Sequence, residues 1–126
     1  MVLDILRNRY LEGQITKYIT RWRLKNGLED LKKAAHYADK LLEVAKRFAP
    51  VESPASKARQ VLVEAYMGNY FLANSSMDLK DQEITLRVVH WRCEADVEEV
   101  RKLIAEQLQR ETERAGEPSA AYVDQG

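Results

Sequence analysis

Across residues 11–43 the apolar positions recur with helical spacing, and one short polar break divides them into two runs. In the first run Leu11, Ile15, Tyr18, Ile19 and Trp22 stand at i, i+4, i+7, i+8 and i+11, on one side of a 3.6-residue helix. Asn26 and Gly27 are expected to stop that helix. Gly27 would adopt the left-handed conformation that follows a helix end, and Lys25 would sit in the last turn, against the negative end of the macrodipole. The second run opens with Glu29 and Asp30 in its first turn and continues through Leu31, Ala34, Ala35, Ala38, Leu41, Leu42 and Ala45 on its inner side. The alanines let the two backbones approach closely. The stretch therefore predicts an αα-hairpin whose apolar stripe needs further helices to cover it.

The rest of the chain supplies candidates for that cover. Val2, Leu3, Ile5 and Leu6 form a short apolar group, either a helical turn or a leading helix fused to the first run. Residues 48–54 read as a connector, with Ser53 as N-cap and Pro54 at the first position of a third helix over 54–72. After the polar break at Asn74, Ser75 and Ser76, Asp78 caps the next element, over 78–92. That element fits two periods. Ile84, Val88 and Trp91 suit a helix, whereas Ile84, Leu86, Val88 and His90 alternate as in a strand. Helix is the better reading, because a lone strand would leave its backbone groups unpaired. A last helix over 94–115 carries Val97, Val100, Leu103, Ile104 and Leu108, and residues 116–126 are small and polar, as in a disordered tail. The expected fold is all-α: one domain over 1–115, four or five helices built on a hairpin core at 11–47. The fourth and fifth helices are rich in Val, Ile, Leu and Trp for the surface of so small a domain, which predicts a homo-oligomer.

Composition narrows the function classes. The 126 residues contain 20 Lys and Arg against 20 Asp and Glu, a net charge of zero, so bulk electrostatics favour neither sequence-specific DNA binding nor an anionic membrane surface. Residues 7–47 are nevertheless basic and 94–126 acid-weighted. No apolar run approaches the ~20 residues of a membrane span, and the start lacks a signal-peptide layout, so a cytoplasmic protein is expected. A single cysteine, Cys93, excludes an intramolecular disulfide and is expected to be a small packing residue. Neither His36 nor His90 has metal-ligand spacing to a second donor, and no GxxxxGK[ST], GxGxxG or GxSxG occurs. The acid pairs Asp78 with Asp81 and Asp96 with Glu99 fall at helix starts, where capping accounts for them.

The chemistry left over lies on the hairpin. Lys17 and Arg21 are a like-charged i, i+4 pair, and Asp30, Lys33, Tyr37 and Lys40 form a polar stripe on the second helix. Two readings follow. In one, Lys17, Arg21 and Lys33 converge on an anion such as phosphate, Asp30 orients a cation or holds magnesium, and Tyr18 or Tyr37 stacks on a base. In the other, Asp30 and Glu29 pair with Arg21 and Lys17, and the remaining charge is a solvated face.

The run GQITKYITRW followed by EDLKKAAHYADKLLE resembles a small phage-encoded family with the pattern G-N-A-I-K-Y-x-x-R, a glycine turn, then E-D-L-x-K-A-x-x-Y. Lys17, Tyr18, Arg21, Asp30, Leu31, Lys33, Ala34 and Tyr37 match that pattern position by position. The family includes a nucleotide kinase without a P-loop. The resemblance implies a phage-type protein of the host cytosol that binds a nucleotide, with magnesium accompanying it and phosphoryl transfer as the associated activity. Gln14 stands where the family has Asn, and the family's upstream His-Tyr segment is not among these residues, so binding without catalysis is also compatible. The alternative class is a helical interaction protein that modulates a host protein through its surface and acidic C-terminal half.

Overall fold

A computed structural model describes residues 2–47 and 54–116, with side chains described for 8–47, 58 and 60–116. Five α-helices account for nearly all of them: α1 (Val2–Arg21), α2 (Leu28–Arg47), α3 (Pro54–Ala73), α4 (Leu79–Val89) and α5 (Glu94–Gly116). No strand occurs among the described residues. The all-α bundle is as expected, and the ambiguous fourth element is helical. Asp78 starts it with a reciprocal capping box: its side chain accepts from the Asp81 N–H at 2.8 Å, and Asp81 accepts from the Asp78 N–H at 3.3 Å. The expected connector over 48–53, with Ser53, and the tail over 117–126 lie outside the described residues, as do the side chains of Val2, Leu3, Ile5 and Leu6.

The leading segment is fused to α1 as one continuous helix, one of its two expected forms, whereas α1 ends at Arg21 instead of running to Asn26. Beyond Arg21 the chain tightens, with the N–H groups of Leu24 and Lys25 both donating to the Arg21 carbonyl at 2.9 and 3.0 Å. Gly27 then closes the link at φ 56°, its N–H donating to the Trp22 carbonyl at 2.8 Å. Lys25 is therefore outside the helix. At the other end, α4 stops at Val89, where the His90 N–H donates to the Leu86 carbonyl at 3.1 Å.

The core follows from the apolar stripes. α1 packs against α2 and α4, and α5 completes the bundle against α2 and α4. Ile15, Ile19, Leu31, Leu41, Ile84, Val88, Val97, Val100 and Ile104 are fully buried, and Ala34 and Ala38 bring α2 close to its neighbours. Apart from the exposed Leu79, the apolar residues of α4 and α5 are thus largely consumed inside the chain, so their richness there gives no reason to expect an oligomer. Exposed apolar area lies mainly on α3, where Leu62 is 71% and Leu72 82% exposed and Met67 is the only buried residue among those whose side chains are described. Cys93 is also exposed, contrary to its expected packing role.

One buried carboxylate ties these helices together. Asp81 Oδ1 accepts from Trp22 Nε1 at 3.1 Å and Gln107 Nε2 at 2.8 Å, while Oδ2 accepts from Arg23 Nε at 3.0 Å and the Asp78 N–H. Those four donors match the acceptor capacity of a carboxylate, and they come from the link that follows α1, the start of α4 and the middle of α5. Removing a buried ionic partner strands the groups around it, so Asp81→Ala is expected to lower the unfolding free energy by about 3–5 kcal/mol in a urea titration. Arg23→Ala should cost less, because the guanidinium side is 34% exposed and water can replace it. A loss below about 1 kcal/mol for Asp81→Ala would contradict this role.

Candidate functional site

The hairpin places an aromatic ring beneath a set of cations. Tyr18, near the end of α1, is only 8% exposed, because its position in the apolar stripe turns it toward α2. Lys17 Nζ and Arg21 Cζ each lie 4.9 Å from its ring centroid, and Lys33 Nζ, from α2, lies 5.4 Å away. Tyr37 stacks parallel to Tyr18 at 6.1 Å, with Tyr10 edge-on to Tyr37 at 6.2 Å. The structure therefore brings Lys17, Tyr18, Arg21, Lys33 and Tyr37 into one cluster.

Asp30 sits beneath that cluster, fully buried. Its Oδ2 accepts from Arg21 Nε at 3.2 Å and its Oδ1 from Asn26 Nδ2 at 3.3 Å. Asp30 thus orients Arg21, one of its two expected roles. The other, holding magnesium, does not fit: both oxygens are engaged and neither reaches the surface. No group of three or more His, Cys, Asp or Glu among the described residues is placed to hold a metal. Stacking a base on Tyr18 does not fit either, since Tyr37 and three cations surround a ring that is almost wholly covered.

The internal pairing expected as the alternative occurs only in part. Arg21 pairs with Asp30, but no ion pair joins Lys17 to Glu29, and among the described residues neither Lys17 nor Lys33 has an acidic partner. The terminal nitrogens of Arg21 likewise have no hydrogen-bond partner among the described residues. Among the described residues only Arg21 of the three cations has a carboxylate partner, which leaves the cluster with an excess of positive charge on an exposed rim. The groove between α2 and α5 shows the opposite condition. There Arg101 donates to Asp39 at 2.7 Å and to Glu98 at 2.9 Å, so the Arg101 charge is satisfied internally.

The ionisations reflect these contacts. Burial alone would raise the Asp30 carboxyl, but the hydrogen bonds from Arg21 and Asn26, with the Arg21 charge, hold it below its ordinary value. Hydrogen bonds from Gln14 and Tyr10 lower the Tyr37 phenol against a smaller opposing effect of burial, and Lys17 and Lys33 add to the lowering. Tyr10 moves the other way, raised first by its hydrogen bond to Tyr37.

Tyr10 and Gln14 were not among the residues that spacing singled out. Gln14 Nε2 donates to the Tyr10 hydroxyl at 3.2 Å, extending the cluster one turn toward the start of α1. The signal was present: Tyr10, Gln14, Lys17 and Arg21 stand at i, i+4, i+7 and i+11, a polar stripe beside the apolar one.

A family model described only as a protein of unknown function (DUF3310) matches residues 3–39, which span α1, the turn and the first half of α2. The matched segment contains all six candidate residues, Lys17, Tyr18, Arg21, Asp30, Lys33 and Tyr37. No curated protein and no solved structure matches the chain.

Because Asp30 has a lower pKa folded than unfolded, its contribution is present above the unfolded value and is lost as pH falls through the folded one. Urea midpoints measured from neutral pH to below about pH 4 should therefore fall more steeply for the natural protein than for Asp30→Asn. Parallel curves would show that the Asp30 pair adds nothing to stability.

Proposed function

We propose that the protein binds a nucleotide or another phosphorylated small molecule on the rim of the hairpin, with Lys17, Lys33 and the free edge of Arg21 contacting the phosphate. The observation that supports this most is the convergence of these three cations on one buried ring, with Arg21 alone among them paired to a carboxylate. Like charges held this close repel one another, and an anion among them relieves the repulsion through charge-assisted hydrogen bonds. The division of labour follows from geometry. Asp30 fixes the Arg21 guanidinium, Tyr18 supports the cations, and the two lysines supply the mobile charge. Phosphoryl transfer, an attendant magnesium ion and a phage-type origin in the host cytosol rest on the resemblance to the phage nucleotide-kinase family.

A second reading is favoured by α3. Val61, Leu62, Tyr66 and Leu72 are all more than half exposed on it, as suits a helix that a host protein or a second copy of this chain would cover. The contact would then be on α3, not on the acidic C-terminal half. Residues 94–116 cannot be deleted to test it, because Val97, Val100, Leu103 and Ile104 are buried core. Leu62→Glu with Leu72→Glu should abolish such an association in sedimentation or pull-down with folding intact. An unchanged association would exclude α3.

Isothermal titration with nucleoside mono- and triphosphates and cyclic dinucleotides tests the first reading. At least one is expected to bind, with affinity reduced tenfold or more by Lys17→Ala together with Lys33→Ala. Both lysines are exposed, so the variant should remain folded. No heat from any of these ligands with the natural protein folded would remove the proposal.

A further inference from the structure

Between α1 and α3 lies a cleft of about 410 Å³, open at the surface and within the size range of small-molecule pockets, roughly 300–1,000 Å³. Its walls combine an apolar body with a basic edge. Tyr66, Met67 and Tyr70 line it from α3, while Arg9, Gly13 and Lys17 line it from α1. The cleft exists because α3 leans on the bundle mainly through its second half. There Met67 is buried and the Tyr70 hydroxyl is hydrogen-bonded to Thr20 Oγ1 at 2.7 Å.

Gly13 keeps the opposite wall open. It lies inside α1 without a positive φ, so the backbone does not require glycine, and a Cβ built there would meet nothing within 4 Å. Glycine inside a helix is less favourable to the helix than alanine. Here it leaves bare helix backbone facing Tyr66 and Tyr70, whose rings lie 6.0 Å apart on α3.

Lys17 belongs to both places. It lines this cleft, and its ammonium also lies 4.9 Å from the Tyr18 centroid in the cation cluster. Glu12, the acid on the same wall, accepts from Trp91 Nε1 at 2.9 Å and so has an engagement within the bundle. Tyr18 is covered and one face of Tyr37 is taken by its stacking on Tyr18, so the α1/α3 cleft, which Lys17 adjoins, offers the aromatic part of a nucleotide a further surface within reach of the cations.

We infer that the α1/α3 cleft receives the base of a nucleoside phosphate, against Tyr66 and the bare backbone at Gly13, while its phosphate rests on Lys17 and the neighbouring cations. The inference builds on the phosphate-binding reading above and names the ligand class and the place of its ring. It also gives Tyr66 a function distinct from that of the outer face of α3.

The test compares the four ribonucleoside monophosphates with ribose 5-phosphate by titration, in the natural protein and in Tyr66→Ala. Tyr66 is exposed on α3, so the substitution should leave the fold and the cation cluster of α1 and α2 intact. The natural protein should bind at least one nucleotide tenfold or more tighter than ribose 5-phosphate, and Tyr66→Ala should erase that advantage while leaving ribose 5-phosphate binding unchanged. Nuclear Overhauser contacts from base protons to the Met67 methyl should accompany binding. Equal affinity for nucleotide and sugar phosphate in the natural protein, or nucleotide binding untouched by Tyr66→Ala, would overturn the cleft assignment and leave the phosphate site standing. Absence of any binding by the natural protein would overturn both.

Discussion

The structure depends on how two buried carboxylates grip the end of α1. Arg21, Trp22 and Arg23 are consecutive, yet Arg21 goes to Asp30 at the start of α2, while Trp22 and Arg23 go to Asp81 at the start of α4. A regular helix would send these three side chains out at steps of about 100° on one cylinder. Ending α1 at Arg21 frees the following residues to turn inward toward Asp81. The stop thus joins α1 to α2 and α4 in one polar assembly, and Gln107 extends it to α5. A fully satisfied network of this kind specifies one arrangement, since a helix that shifts by a residue strands several buried donors at once.

The candidate site is a by-product of that grip. Holding Arg21 on Asp30 fixes its guanidinium over Tyr18, one turn back on the same face. Lys17 and Lys33 reach the same ring from the rim, where nothing acidic answers them among the described residues. A cation over a ring gains about 0.5–1 kcal/mol at an exposed site, enough to bias where each ammonium sits but too little to hold three positive groups together against an incoming anion. The cluster is therefore preorganised without being locked. Exposed lysines remain mobile, and the anchored arginine supplies the fixed donor.

Much of this was legible from residue spacing, and the omissions have physical causes. The 3.6-residue period and the Asp78 cap located the helices, and the i, i+3, i+4 offsets placed Lys17, Arg21 and Lys33 on facing sides of the hairpin. Spacing could not say whether Asp30 faced water or Arg21, because both orientations share the same register. Asp81 was read as a cap, which it is, but its burial depends on Trp22 and Gln107 arriving from remote parts of the chain. Two hints were available: a buried indole needs an acceptor, and Gln107 interrupts the apolar stripe of α5. The end of α1 falls five residues before Asn26, because Asn26 and Gly27 close the link between the helices and not the helix itself. The apolar content of α4 and α5 suggested an outer face until the core was seen to need it, and the exposed helix proved to be α3.

Lys17 and Lys33 share one ring, and the proposed function requires that they also share one anion. Reductive methylation with ¹³C-formaldehyde keeps the charge on each lysine and gives each a methyl resonance. In the natural protein the Lys17 and Lys33 signals should be displaced upfield by the Tyr18 ring, should join the exposed lysines in Tyr18→Leu, and should both move on addition of a nucleoside phosphate. Two resonances that coincide with the exposed lysines from the start, and stay there as ligand is added, would contradict the account.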